Sequence, residues 1–300
     1  MTDYLVGTGG WAYFNIPKKP ALKAYSEIFN FVEVNSTFYQ CPPAEMVKKW
    51  RRTVPKNFTF SVRCHHDLTH RIGLRPVEEA YDVFYKMKTF AVILQTPYIV
   101  LETPGTYDAA TETRDFFSSL NLKGIRLVWE YRASPNDDVT SLMRDFNIVQ
   151  SVDLSRQKPS LKSDVAYSRL FGKGQSNIWQ FTNQELAEIQ KNAEETGSKK
   201  VFMSFHGLRM NTDAFRFQQR LLTGAYPSAT SATGVDSAKA VLAEDASFPS
   251  SKSELVKKQG WKVIDLKANE TAHLSDFLSG IPDKNYGSLD EVAKELEAVI

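Results

Sequence analysis

The amino-acid sequence predicts an α/β fold, a (β/α)8 TIM barrel followed by a helix-rich C-terminal extension. Eight short apolar segments with strand character lie within the first 224 of 300 residues, and amphipathic segments separate most of them. Strands that alternate with helices pair in parallel through right-handed crossovers. Eight such units in about 220 residues fit a closed barrel better than an open sheet.

The individual elements follow from apolar patterning and from proline and glycine at their ends. Pro43 and Pro76 fit the first turns of two helices, and Gly197 closes a third. The run FAVILQ is predicted as a buried strand that Pro97 stops. The strand candidates are 4–7, 31–35, 58–64, 90–95, 124–132, 148–154, 165–172 and 200–207. The helix candidates are 21–29, 43–52, 76–88, 109–119, 135–146, 183–196 and 211–222.

Two stretches depart from this alternation. No helical pattern joins residues 154 and 165, so one unit of the barrel is predicted to be degenerate. Residues 225–234 are small and polar, as in a linker. We therefore predict a barrel domain over 1–224 and an extension over 225–300 that packs on or near it. The sequence does not specify whether this extension covers the barrel mouth. The extension is predicted to contain helices at 236–243, 251–259 and 288–299 and a strand at 261–266.

Composition and charge narrow the protein class. The chain has 42% hydrophobic and 24% charged residues, as in a folded globular protein. A net charge of +2 provides no general attraction to nucleic acid or to an anionic membrane. The sequence contains neither a secretory signal nor an apolar run long enough to cross a membrane. Two cysteines make no disulfide framework, so we predict a cytoplasmic protein.

One segment is locally basic. Residues 46–75 contain eight lysines and arginines against a single acid, together with three of the five histidines. This composition is compatible with a solvated helix face and a loop. It is also compatible with capture of an anion such as phosphate, a nucleotide or a nucleic-acid backbone.

The strand periodicity points two carboxylates into the barrel. In the strand at 31–35, Glu33 and Asn35 share the face opposite the valines, and Glu130 and Arg132 share a face in the strand at 124–132. Both pairs lie near the carboxyl ends of their strands, where the active sites of barrel enzymes are built. A charge inside a barrel is costly unless it is paired or functional. The alternative to a catalytic role is structural pairing, of Glu33 with Arg63 and of Glu130 with Arg132.

Other polar residues fall at predicted strand ends and would complete a polar ring: Trp11, Gln95, Asp153, Arg169 and His206. The aspartate and the histidine of this ring, together with the histidines of the basic segment, are residue types that Zn²⁺ or Mn²⁺ prefers as ligands. No compact metal motif is present, so the metal remains a candidate cofactor only. The candidate metal ligands are His65, His70, Asp153 and His206.

The chain also resembles the YecE-like family, classed as domain of unknown function number seventy-two. The resemblance covers roughly residues 4–224 and is most specific in the block VEVNSTFY at 32–39. Further matching pieces are GTGGW at 7–11, FTFSVR at 58–63, LTH at 68–70, LQTP at 94–97, EYR at 130–132 and YSRLFG at 167–172. The resemblance implies a TIM barrel and no particular activity. The chain departs from the family pattern at Phe205-His206, where many members carry asparagines.

Three functions are compatible with these residues. The first is hydrolysis of a phosphoester in a phosphorylated or anionic ligand, with or without a metal, with Glu33, Glu130 and His70 as catalytic candidates. The second is binding of a nucleotide or nucleic acid without turnover. The third is glycoside hydrolysis by Glu33 and Glu130. The candidate ligand-binding residues are Trp11, Asn35, Tyr39, Arg63, Gln95, Arg132 and Arg169.

Overall fold

The computed structural model describes residues 2–109, 111–134 and 136–300. Eight parallel strands close into a barrel in chain order, with the first strand paired to both the second and the eighth. The TIM-barrel prediction is therefore confirmed. The strands are β1 (Asp3–Thr8), β2 (Phe31–Val34), β3 (Thr59–Arg63), β4 (Tyr98–Thr103), β5 (Arg126–Tyr131), β6 (Val149–Val152), β7 (Val165–Leu170) and β8 (Lys200–Phe205).

Seven helices belong to the βα sequence of the barrel: α1 (Ala21–Ser26), α2 (Ala44–Thr53), α3 (Glu78–Leu94), α4 (Thr111–Ser119), α5 (Asp137–Asp145), α6 (Asn183–Glu195) and α7 (Met210–Thr223). Short helical turns occupy Asn35–Phe38, Asp67–Arg71 and Gln175–Asn177. The described residues 153–164, between β6 and β7, contain no helix, as the degenerate unit predicts. Ala110 and Pro135, which fall within the predicted helices 109–119 and 135–146, lie outside the described residues.

The fourth predicted strand is wrong. Residues 90–94 are the end of α3, and the strand is the following segment, Tyr98–Thr103. Phe90, Ala91 and Leu94 are buried while Val92 is 65% exposed, which is the spacing of a helix with one buried face. Short apolar runs do not distinguish a buried strand from a buried helix, and here the helix was mistaken for the strand.

The inner face of the barrel carries an apolar layer beneath its carboxyl end. Phe202 lies at its centre, and its ring centroid is 5.0 Å from Phe31, 4.7 Å from Tyr98 and 5.1 Å from Tyr167. Inward-facing residues alternate along each strand, so the residue two positions after each member of this layer also points inward. Glu33 follows Phe31 and Arg169 follows Tyr167 in this way, so charged side chains lie on this second level.

The described residues divide into two compact units. The first contains residues up to Leu170 together with Asn192–Phe205, and includes all eight barrel strands. The second contains Phe171–Lys191 and His206–Ile300. A boundary at residue 224, drawn from composition, stays a prediction.

The second unit has its own apolar core. It contains α8 (Gly234–Ala243), α9 (Lys252–Gln259), α10 (Leu274–Leu278) and α11 (Leu289–Leu296), which confirms a helix-rich extension. Two small antiparallel pairs accompany them, β10 (Val263–Lys267) with β11 (Glu270–His273) and β9 (Ser250–Ser251) with β12 (Asn285–Tyr286). Among the described residues, no helix combines the length and the apolar character that a membrane crossing requires.

Candidate functional site

Six charged side chains meet inside the carboxyl end of the barrel. We call them the ionic layer: Glu33, Arg63, Glu102, Glu130, Arg132 and Arg169, from strands β2, β3, β4, β5 and β7 and from the residue after β5. Three carboxylates balance three guanidinium groups, so the layer is electrically neutral. The attraction between opposite charges offsets the free-energy cost of removing these groups from water.

Arg169 is the centre of the ionic layer. Its Nη2 atom lies 3.1 Å from Glu33 Oε1, and its Nη1 atom contacts both Glu102 and Glu130. Burial alone would lower the pKa of this guanidinium, but the three carboxylates hold the pKa well above its ordinary value. Burial likewise opposes ionisation of Glu130, yet Arg169 and Arg132 outweigh it and lower the pKa of that carboxyl. Both residues are therefore charged at neutral pH.

Glu33 is fully buried beneath the mouth of the barrel. Tyr167 donates its hydroxyl to Glu33 Oε2 at 2.9 Å, and the same hydroxyl lies 2.7 Å from Ser61 Oγ. Of the two structural pairs considered from the sequence, Glu130 with Arg132 is present, at 2.7 Å. Glu33 pairs with Arg169 on β7, and Arg63 pairs with Glu102 on β4. Glu33 is thus held within a structural network, and a catalytic role for it stays a prediction.

Glu102 is the member of the ionic layer that was not predicted from the sequence. It contacts Arg63, Arg132 and Arg169, and its position on β4 is in register with Glu130 on β5. The misplaced fourth strand hid it. A strand at 98–103 puts Tyr98, Val100 and Glu102 on one face, and that alternation is the signal that would have identified it.

An aromatic pocket opens where β1 and β2 end. It has a volume of about 330 Å³ and is lined by residues 9–13, by Asn35, Ser36 and Tyr39, and by Trp50. Trp11 and Trp50 pack edge to face with ring centroids 5.1 Å apart. Gly10 has a φ of 110°, which few other residues adopt, where the chain turns past the pocket. Three predicted ligand residues, Trp11, Asn35 and Tyr39, line this pocket, while Tyr13 and Trp50 were not singled out.

Asn35 joins the aromatic pocket to the ionic layer. Arg63 donates to Asn35 Oδ1 through Nη1 and to Glu102 through Nη2. The Arg63 guanidinium also stacks over the ring of Phe38, with its Cζ atom 3.6 Å from the ring centroid. These contacts fix Asn35 so that it presents a polar group to a pocket whose walls are otherwise largely aromatic.

His70 lies on the loop after β3 and is exposed. Its Nδ1 atom is 2.9 Å from Thr69 Oγ1, and its ring packs against Phe38 at 5.2 Å. Burial lowers its pKa, Glu102 opposes that effect, and Arg63 and Arg132 reinforce it. His70 is therefore predominantly neutral at pH 7 and is able to accept a proton.

The candidate metal ligands do not come together as one set. His65 lies near His66 and Asp67. Among the described residues, these three form the one group of His, Cys, Asp or Glu side chains that lie close enough together to hold a metal ion. Asp153 follows β6 and accepts from the Ser155 amide and hydroxyl at 2.9 and 2.6 Å. His206 belongs to the second unit, where its ring packs on Phe171 at 4.9 Å.

Two further predictions about the mouth are changed by the structure. Gln95 caps the end of α3 before β4 begins, so it lies at the amino-terminal end of the barrel, opposite the mouth.

The basic segment at residues 46–75 is divided between the two ends of the barrel. Arg51 lies in the last turn of α2 and Lys56 lies between α2 and β3, whereas Arg71 and Arg75 follow β3. Arg51 donates to backbone carbonyl groups of the segment between α2 and β3, and Arg71 pairs with two acidic residues.

Comparison with known proteins identifies a matching family and a curated relative. The family model described as "Protein of unknown function DUF72" matches residues 5–234. The UPF0759 protein YunF of Bacillus subtilis (strain 168) is 32% identical over 101 residues, which cover 31% of this chain and 34% of that protein. The chain thus matches about a third of the length of this curated relative.

Two solved structures share the fold. A DUF72 family protein from Thermotoga maritima MSB8 matches with a TM-score of 0.59 and 18% identity over 73% of this chain and 99% of the other. A DUF72 family protein from Enterococcus faecalis V583 matches with a TM-score of 0.57 and 16% identity over 74% of this chain and 98% of the other. At these identities the structures carry the fold alone. The solved structures show the TIM-barrel fold. The family match over residues 5–234, which is most of the chain, identifies the chain as a member of the DUF72 family.

Proposed function

We propose that this protein binds a small anionic ligand that carries a flat ring, of the nucleotide class, at the carboxyl end of the barrel. The observation that carries this proposal is the aromatic pocket with Asn35 fixed in its wall by Arg63. A volume of about 330 Å³ is at the lower end of small-molecule sites and fits one ring system with its substituents better than a polymer.

The chemistry of the pocket supports a flat ring. Aromatic side chains stack on planar ligands with little loss of side-chain entropy, and the Asn35 amide can hydrogen-bond to the edge of a base. The anionic part of the ligand is assigned to Arg132, the most exposed member of the ionic layer. Arg132 remains 41% exposed although it contacts Glu102 and Glu130.

The test is a titration with adenosine 5′-monophosphate, with adenosine and inorganic phosphate as the separate halves of the ligand. We expect the monophosphate to bind more tightly than either half, and Tyr39→Ala to weaken it by about tenfold, the magnitude of one lost stacking contact. Tyr85→Ala, a partly exposed tyrosine on α3 outside the pocket, is the matched control. Arg132→Gln should abolish the preference for the monophosphate over adenosine. Equal affinities in Tyr39→Ala and Tyr85→Ala would reject the assignment to this pocket.

Hydrolysis of the phosphoester is a second candidate, which the neutral and exposed His70 favours. Water would attack phosphorus as His70 accepts its proton, the bond from phosphorus to the ester oxygen would break, and the released alkoxide would take a proton from solvent. Phosphate release from the monophosphate, with and without added Zn²⁺ or Mn²⁺, measures this step. His70→Gln should bind normally and lose turnover, whereas His206→Gln in the second unit should keep both. Binding of the monophosphate without release of phosphate would mean that the protein binds this ligand and does not hydrolyse it.

The other two functions receive less support. The Arg169 guanidinium contacts both Glu33 and Glu130, so no sugar can lie between these carboxylates as glycoside hydrolysis requires. A nucleic-acid backbone would need a continuous basic surface, and the basic segment is divided between the two ends of the barrel.

A further inference from the structure

We propose that His65, His66 and Asp67 form a binding site for a divalent transition-metal ion of the zinc class on the loop that follows β3. The inference is independent of the proposed ligand, because it depends on the geometry of these three side chains alone. This set differs from the candidate ligands chosen from the sequence, of which it retains only His65.

The distances suit a metal ion bound between the three groups. Asp67 Oδ1 lies 3.2 Å from His66 Nδ1, and Asp67 Oδ2 lies 3.7 Å from His65 Nδ1. Two ligand atoms bound tetrahedrally to one zinc ion at the usual bond lengths are about 3.3 Å apart. One ligand atom from each residue can be chosen so that all lie within 4.8 Å of one another. A small adjustment of the His65 ring would therefore complete the set.

His65 presents a lone pair rather than a proton to this point. The Asp67 amide approaches His65 Nδ1 at 3.3 Å, so Nδ1 acts as an acceptor, and a metal ion would replace this long hydrogen bond. The ring of His65 also hydrogen-bonds to the backbone of Tyr39. A backbone contact of this kind, from the nitrogen that does not bind the metal, commonly fixes the ring of a histidine ligand. Tyr39 also lines the aromatic pocket, so the loop and the pocket share this residue.

The surroundings leave room for solvent or another ligand on the ion. The side chains of His65, His66 and Asp67 are 14%, 42% and 28% exposed, so the site faces outward. Three protein ligands with an open fourth position is the composition of catalytic rather than structural zinc sites. The segment from Asp67 to Arg71 forms a π-helical turn, which places Asp67 at the start of the turn.

One neighbour opposes the metal. Arg71 Nη2 lies 3.2 Å from Asp67 Oδ2 and also pairs with Glu79. Its positive charge competes with a cation for the same carboxylate. Removal of this charge should therefore strengthen metal binding, which is the opposite of what a purely structural role for Asp67 would produce.

The experiment uses the full chain, expressed without a polyhistidine tag and freed of metal with a chelator, and titrated with Zn²⁺ against a chromophoric competitor. We expect one equivalent to bind, His66→Gln and Asp67→Asn to weaken the affinity at least tenfold, and Arg71→Gln to increase it several-fold. His206→Gln in the second unit is the matched control and should bind as the unaltered chain does. Circular dichroism establishes that each variant is folded.

Two results would overturn the proposal. The first is binding of the unaltered chain that is no tighter than that of folded His66→Gln. The second is unchanged or weaker binding in Arg71→Gln, because the competing charge would then have no effect on the ion. Cobalt substitution provides an independent readout, since a tetrahedral site with nitrogen and oxygen ligands gives visible absorption bands that His66→Gln should lose.

Discussion

Arg169 and Glu33 form an ion pair across the interior of the barrel, with Nη2 and Oε1 3.1 Å apart, although their strands β7 and β2 are not neighbours. Both side chains are almost completely buried. The same guanidinium contacts Glu102 and Glu130, so one cation links β7 to β2, β4 and β5 across the interior.

Replacement of Arg169 should therefore destabilise the fold strongly. Arg169→Gln would leave three carboxylates with two guanidinium groups in a buried layer, and breaking such a group costs about 3–5 kcal/mol. Urea denaturation measures the free energy of unfolding. Arg114→Gln, which removes an exposed pair with Asp145, is the control and should cost less than about 1 kcal/mol. Similar losses in the two variants would contradict a central role for Arg169.

Removal of the Tyr167 hydroxyl should cost less but remain measurable. Tyr167→Phe keeps the ring stacked on Phe202 and deletes the donor to Glu33. A buried carboxylate that loses one hydrogen bond costs about 1–3 kcal/mol. Tyr13→Phe, at a side chain that is 85% exposed, should leave the free energy of unfolding unchanged. If Tyr167→Phe is equally neutral, the hydrogen bond to Glu33 contributes nothing to stability.

The end of α3 can be tested by glycine substitution. Gln95 has a φ of 58°, a left-handed conformation that glycine adopts without strain. Gln95→Gly should stabilise the protein by about 0.5–1 kcal/mol. Val92→Gly, in the exposed face of the same helix, should instead destabilise it by about 1 kcal/mol. Loss of stability in Gln95→Gly would be the result expected of a strand at 90–95 and would contradict the helix end.

Stability of the second unit should depend on the ionisation of Asp213. Burial raises the pKa of this carboxyl from 3.8 to about 7, although Arg216 at 3.4 Å and the Phe181 amide oppose the shift. Because the folded state binds the proton more tightly than the unfolded state does, the contribution of this group is fully present below about pH 4. It declines as the pH rises towards 7, by at most about 1.4 kcal/mol per pH unit.

The measurement compares the unaltered chain with Asp213→Asn between pH 4 and pH 8. The difference in their free energies of unfolding should change in favour of the asparagine variant as the pH rises, because asparagine has no proton to lose. Asp145→Asn, on an exposed side chain, is the control for general charge effects. A difference that stays constant with pH would mean that Asp213 titrates normally in the folded state.

Much of the fold was predictable because its signals are local. The alternation in FVEV and RLVWEY depends only on the two-residue period of a strand, and it identified the inward positions of Glu33 and Glu130. The fourth strand failed because FAVILQ and YIVLET are both apolar runs beside Pro97, and periodicity over six residues cannot rank them. That single error hid Glu102 and placed Gln95 at the wrong end of the barrel.

The sequence by itself determined the class of fold, the number of barrel strands, the degenerate unit and several residues that face the interior. Only the tertiary structure decided which charges meet, because partners such as Glu33 and Arg169 lie on strands separated by 136 positions and by two intervening strands. It also decided the aromatic pocket, where Trp11 follows β1 and Trp50 lies in α2. Strand alternation specifies the face on which a side chain lies, whereas barrel closure specifies its neighbours across the interior.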